Sequence, residues 1–170
     1  LWLQVKPGTD GALALSMINV VIEEKLFDTE FTREWTTAPF LVRSDTGDFL
    51  RASEIDTKGD AQAYVVFDAK TNKPVACLPR TEITSTAALE GIYGIKTADD
   101  EEIECRTVFQ FLKDSVSDYQ PETVEKITGI PAGQIREAAR MFTTVKPSCW
   151  YSWNGIEQTV NASQTNRAIC

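Results

Sequence analysis

The chain has 170 residues, long enough for one domain with a real core, and its 42% apolar content is that of an ordinary globular protein. The net charge of −8 argues against a nucleic-acid or anionic-membrane binder, because phosphate contacts need clustered Lys and Arg. No apolar run approaches the roughly 18–20 residues of a membrane span, and Leu1 opens a strand-like run with no basic leader, so no direct membrane insertion is expected.

In chain order, Leu1–Val5 reads as a strand and Lys6-Pro7-Gly8 as a tight turn, with Thr9 or Asp10 as a helix N-cap. Leu13, Met17, Val20 and Val21, with Ala14 and Ile18 beside them, recur at helical spacing and predict a helix over Asp10–Glu24 with a broad buried face. Asp28-Thr29-Glu30-Phe31 reads as a second N-cap opening a short helix to about Thr36. The texture then changes. Between Ala38 and Arg106, β-branched and aromatic residues alternate with turn signals such as Thr71-Asn72-Lys73-Pro74 and Ala98-Asp99-Asp100. Strands are predicted near Phe40–Arg43, Tyr64–Asp68, Val75–Leu78, Tyr93–Thr97 and Glu102–Arg106. Helical grammar returns over Val108–Asp118, from Pro121 to a stop at Gly129, and from Pro131 to about Thr144. Ser148–Ser152 reads as a buried strand, Trp153-Asn154-Gly155 as the turn after it, and Val160–Cys170 as a helix start. The fold class is therefore α/β: a Rossmann-like open sheet with flanking helices and a β-rich insertion over 38–106. Leu1–Val5 and Ser148–Ser152 are expected in one mainly parallel sheet. A strand at one end and a helix at the other, without tails, suggest a piece of a longer protein.

Few residues can carry chemistry unaided. There is no His, which removes the commonest general base and the Ser-His and Cys-His nucleophile systems. Cys77, Cys105, Cys149 and Cys170 lie far apart with no C-x-x-C spacing, so a metal site made by this chain alone is not expected. Cys149, beside two aromatic residues in an expected buried strand, reads as a core thiol. The run Asp99-Asp100-Glu101-Glu102 lacks the alternation and glycine of a calcium loop and reads as a solvated hairpin tip. Arg136 and Arg140, four apart on one helix, read as partners of Glu137 or neighbouring acids.

Three segments carry a resemblance. The opening Lys6-Pro7-Gly8-Thr9-Asp10-Gly11-Ala12-Leu13-Ala14-Leu15 is the first. Ile127-Thr128-Gly129-Ile130, followed by Ile135-Arg136-Glu137-Ala138-Ala139-Arg140-Met141-Phe142, is the second. Trp153-Asn154-Gly155-Ile156-Glu157-Gln158, followed by Gln164-Thr165-Asn166-Arg167-Ala168-Ile169, is the third. In order and spacing they resemble the molybdopterin oxidoreductases of the DMSO reductase family. The β-rich middle is more loosely similar to the insertion of acetylene-hydratase-like anaerobic members.

The resemblance implies a part of a catalytic subunit: residues 1–170 as a fragment of one molybdopterin guanine dinucleotide-binding α/β domain, inactive by itself. The parent would hold molybdenum or tungsten between such cofactors and carry an iron-sulfur cluster. Its partners would be the remaining domains of the same polypeptide and an iron–sulfur electron-transfer subunit. It would be cytoplasmic, or periplasmic if the parent carries a twin-arginine signal. Family position implies that Pro7, Gly8 and Asp10 line the guanosine end of a cofactor, with Asp10 accepting from guanine. It implies that Trp153, Asn154, Gly155 and Gln158 lie near the pterin and phosphates. The bland alternatives are that Asp10 only caps a helix and that Trp150 and Trp153 are core aromatics. The rival to the whole reading is a stand-alone α+β interaction module without cofactor.

Overall fold

The computed structural model describes residues 1–78, 83–151 and 153–169. They form two compact units, one from Leu1–Phe27 with Ser115–Cys170, the other from Asp28–Asp114.

The first unit is helical. Its opening segment enters a turn in which the Thr9 N–H donates to the Lys6 carbonyl at 3.1 Å, with Gly8 at φ +82°. Pro second and a left-handed Gly third define a type II turn, which delivers the chain to α1 (Asp10–Glu23). Further on, α5 (Pro121–Thr128) starts on a proline and ends on Gly129 at φ +78°, both as the sequence predicts. Then come α6 (Ala132–Thr144), the single turn α7 (Asn154–Glu157) and α8 (Ala162–Ile169). The core joins Val124, Ile130 and Ile135, all at most 2% exposed, to Leu3, Val5, Leu13 and Met17. The Lys6 N–H donates to the Thr128 carbonyl at 3.1 Å and so ties the opening segment to the end of α5. Buried positions on α1 include Ser16 and Asn19; the Asn19 amide donates to the Val116 carbonyl at 3.1 Å.

The second unit carries the strands. After α2 (Thr29–Trp35), capped by the Asp28 carboxylate that accepts from the Phe31 N–H at 2.9 Å, come β1 (Leu41–Arg43), the short α3 (Ala52–Ile55), β2 (Tyr64–Asp68) and β3 (Lys73–Cys77). β4 (Ile92–Lys96) and β5 (Glu102–Thr107) follow, and β5 runs directly into α4 (Val108–Val116). β5 pairs with β1 and with β4, placing Arg106 opposite both Val42 and Ile92. β2 and β3 form a separate hairpin. Its turn is held by Asp68, whose carboxylate accepts from the Lys70 N–H and the Thr71 hydroxyl. Leu41, Leu50, Val65, Ile95 and Cys105 fill the core, and Phe67 stacks on Tyr93 with ring centroids 3.8 Å apart.

The α/β class holds, with open sheets and flanking helices, but the expected parallel sheet is not formed among the described residues. All the strand pairings are antiparallel, and neither Leu1–Val5 nor 148–151 is a strand. Ser152 and Cys170, the ends of two expected elements, lie outside the described residues. The reason is physical. A strand exists only against a partner, and these two segments have none here. Cys149 is accordingly exposed, not a core thiol, whereas Cys77 and Cys105 are buried. The acidic run is the hairpin tip expected of it, with Asp100 at φ +65° and paired to Lys96 at 2.7 Å.

Two expectations follow. Ile135 is fully buried, so Ile135→Ala should lower the unfolding free energy by about 2–4 kcal/mol in urea titrations. The second is acid sensitivity. Arg43 hydrogen-bonds Asp45 through both carboxylate oxygens and lowers its pKa from 3.8 to about 2. A depressed carboxylate contributes stability above its unfolded value and loses it as pH falls through the folded one. The stability gap between wild type and Asp45→Asn should therefore close between pH 3.8 and about 2, followed by circular dichroism.

Candidate functional site

Chain direction and turn chemistry place Pro7, Gly8 and Asp10 at one end of α1. Pro7 fixes φ for the second turn position, and Gly8 supplies the positive φ of the third. A Cβ placed on Gly8 would meet nothing within 4 Å, so the turn presents open backbone on that side. Asp10 is the first helical residue and not the N-cap, a position held by Thr9. The Thr9 hydroxyl turns back to donate to the Lys6 carbonyl at 2.7 Å, and no side chain caps the helix. The carboxylate of Asp10 makes no hydrogen bond or ion pair among the described residues, nor do the N–H groups of Asp10 and Gly11. Among the described residues, two unbonded donors and an unbonded carboxylate thus stand together where the helix dipole is positive. The bland reading, in which Asp10 merely caps, is not what the side chain does.

Gly11 has a different use, one that sequence reasoning did not find. A Cβ there would lie 3.1 Å from the Thr165 hydroxyl oxygen and 3.6 Å from the Thr165 Cα. α8 therefore crosses the first turn of α1 at close range. A glycine inside an apolar-periodic helix is the signal that could have found it. The contact brings the third resemblance segment to the end of α1 that bears the first.

Trp153, Asn154, Gly155 and Gln158 lie just before α8. Trp153 is the N-cap residue of α7, Asn154 and Gly155 begin that turn, and Gln158 ends it. All four are exposed, Trp153 by 74% and Trp150 by 55%, so these aromatics are not core. Pro7, Gly8 and Asp10 share a unit with these four but make no hydrogen bond with them among the described residues.

The two arginines of α6 are occupied elsewhere. Arg140 binds both oxygens of Glu24, at 2.7 and 2.8 Å, and Arg136 binds both of Glu122, at 2.7 and 2.9 Å. Both arginines pair with acids, as expected, but with Glu122 and Glu24, 14 and 116 residues away in sequence, and not with Glu137. The Arg140 guanidinium holds the Glu24 carboxyl below its usual range. Among the described residues, no group of three or more His, Cys, Asp and Glu is arranged to hold a metal ion.

Comparison with known proteins gives these features a context. No family model matches the chain. It is 39% identical to perchlorate reductase subunit alpha of Dechloromonas aromatica, over 99% of this chain and 21% of that protein. It is 33% identical to dimethylsulfide dehydrogenase subunit alpha of Rhodovulum sulfidophilum, over 99% and 19%. It is also 33% identical to chlorate reductase subunit alpha of Ideonella dechloratans, over 82% and 16%. The fold superimposes on part of acetylene hydratase from Pelobacter acetylenicus with a TM-score of 0.54 and 24% identity, covering all of this chain and 14% of that one. The chain belongs to the molybdopterin oxidoreductases of the DMSO reductase family. Within that family it is similar to a segment of the catalytic alpha subunits, and it spans about a fifth of the length of the curated relatives it matches.

The turn geometry separates two substitutions. Gly8→Ala forces a side chain into the left-handed region and should destabilise the chain by about 1–2 kcal/mol. Asp10→Asn loses no hydrogen bond and only part of a dipole interaction, so it should cost less than about 1 kcal/mol. Urea unfolding of both variants checks the order.

Proposed function

We propose that this chain is the part of a molybdenum- or tungsten-dependent oxidoreductase that holds one end of a molybdopterin guanine dinucleotide. In this reading residues 1–170 are a fragment of one cofactor-binding α/β domain, with 38–106 as its β-rich insertion. The fragment does no chemistry alone. The cofactor, when bound, supplies the redox-active metal, and the chain supplies position and electrostatics.

One observation carries the reading: among the described residues Asp10 has no partner, and it stands beside an open glycine turn and two N–H groups without hydrogen bonds. A free carboxylate can accept two parallel hydrogen bonds from the N1–H and N2–H₂ donors of guanine, a pair the other bases do not offer equally. Gly8 lets a ligand approach the backbone, and the free N–H groups favour anionic ligand atoms. The residues present fit such a group. Trp153, Asn154, Gly155 and Gln158 are exposed and able to contact the pterin and phosphate portion, where Gln158 offers a long amide to a ring edge. The alpha-subunit names of the relatives support further subunits in the assembly; in this reading one of them is an iron–sulfur protein that passes electrons.

The decisive variant is Asp10→Asn in the longer polypeptide that carries this segment. The amide keeps the shape but turns one acceptor into a donor that faces guanine's donors. A hydrogen bond to a charged group contributes about 1.5–3 kcal/mol, so retention should weaken tenfold or more in a protein that still folds. The measurement is guanine nucleotide released by acid per mole of folded protein. Unchanged nucleotide content would sink the assignment of Asp10.

A further inference from the structure

The sequence holds five asparagines, and Asn154 alone is followed by glycine. The others precede Val20, Lys73, Ala162 and Arg167. A side chain on the following residue hinders the approach of its backbone nitrogen to the asparagine amide, and glycine offers no such obstacle. Asn154-Gly155 is therefore the pair best suited to a reaction between side chain and backbone.

The structure leaves that pair unprotected. Both residues are exposed, and they open α7, a helix of only four residues. The Asn154 side chain and the Gly155 N–H make no hydrogen bond among the described residues. A Cβ on Gly155 would meet nothing within 4 Å, so no neighbour crowds the attacking nitrogen. Ring closure needs the Asn154 backbone to turn out of the helical conformation. A single turn that contains glycine resists this weakly, being far below the length at which a helix holds itself. Asn19 is the contrast. It lies buried within α1, its amide donates to the Val116 carbonyl, and a β-branched residue follows it.

We infer that Asn154 is a self-modification site: it deamidates through a cyclic imide with Gly155 when the cofactor site is empty, and is shielded when the site is filled. The Gly155 nitrogen attacks Cγ of Asn154, and a carbon–nitrogen bond forms between them. The bond from Cγ to the side-chain nitrogen breaks, and ammonia leaves with the proton that the Gly155 nitrogen gives up. Water then opens the imide at either carbonyl and leaves aspartate or isoaspartate at position 154. Water is the sole co-reactant, and no electrons are transferred. The product puts a carboxylate beside the proposed seat of the pterin and phosphates, so the reaction marks polypeptides that stand empty. The shielding rests on the cofactor reading; the reaction itself does not.

The test uses the longer polypeptide, prepared with and without its cofactor, aged at neutral pH and followed by peptide mass spectrometry. In the cofactor-free form Asn154 should convert at least about tenfold faster than any other asparagine of this segment. Both aspartate and isoaspartate should appear, whereas direct hydrolysis of the amide would yield aspartate alone. Gly155→Ala should slow the conversion at least about tenfold and leave the fold intact, because the added methyl meets open space. An Asn154 that stays intact while a synthetic peptide of the same sequence converts overturns the inference. So does equal conversion in the Gly155→Ala form. The loaded protein should convert more slowly than the empty one. Equal rates in the two would refute the shielding and the placing of Asn154 and Gly155 beside the cofactor, and would leave the self-modification standing.

Discussion

Helix α1 is gripped at its first turn, and the grip depends on an absent side chain. Gly11 lets Thr165 of α8 come so close that a methyl group would already crowd it. On another side, the core of Val124, Ile130 and Ile135 receives Leu13 and Met17. At the far end, Arg140 clasps both oxygens of Glu24. Anchored in this way at both ends, α1 holds its N-terminus fixed in the unit, and the Pro7–Gly8 turn inherits that position. The packing of α8 therefore fixes the backbone beneath Asp10, which is what a recognition role for that carboxylate would require.

Local signals in the sequence translated directly into structure. Asp28 caps α2 through the Phe31 N–H, Pro121 starts α5, and Gly129 ends it in the left-handed conformation. β2 occupies Tyr64–Asp68 as expected, because the Asp68 turn that ends it is encoded within five residues. The short α3 was not anticipated. Its signal was Glu54, whose carboxylate accepts from the Arg51 N–H at 2.7 Å as in a capping box, but with Arg in place of the usual Ser or Thr.

What the sequence did not reveal was everything that needs a distant partner. Leu1–Val5 and Cys149–Tyr151 have strand composition, yet a ladder is a property of two segments and not of one. The burial expected of Cys149 failed with the strand that was to bury it. The candidate site was half legible for the same reason. Pro7, Gly8 and Asp10 follow from turn and helix grammar, but that Asp10 leaves capping aside could be seen only once the Thr9 hydroxyl was found bonded to Lys6. The closeness of α8 to this turn needed the fold.

The open Gly8 turn and the first turn of α1 meet at Asp10. In open α/β sheets, ligands bind beyond the carboxyl ends of the strands, where the following helices begin. Segment 1–5 leads through the Pro7–Gly8 turn into α1, so its carboxyl end and the N-terminus of α1 flank the same turn. In the proposed reading the Gly8 turn and Asp10 stand at such an end, so a ligand seated there would reach open backbone and a carboxylate from one side. A carboxylate–guanine pair would gain strength where the seated ligand excludes water, because each hydrogen bond then competes with fewer solvent donors.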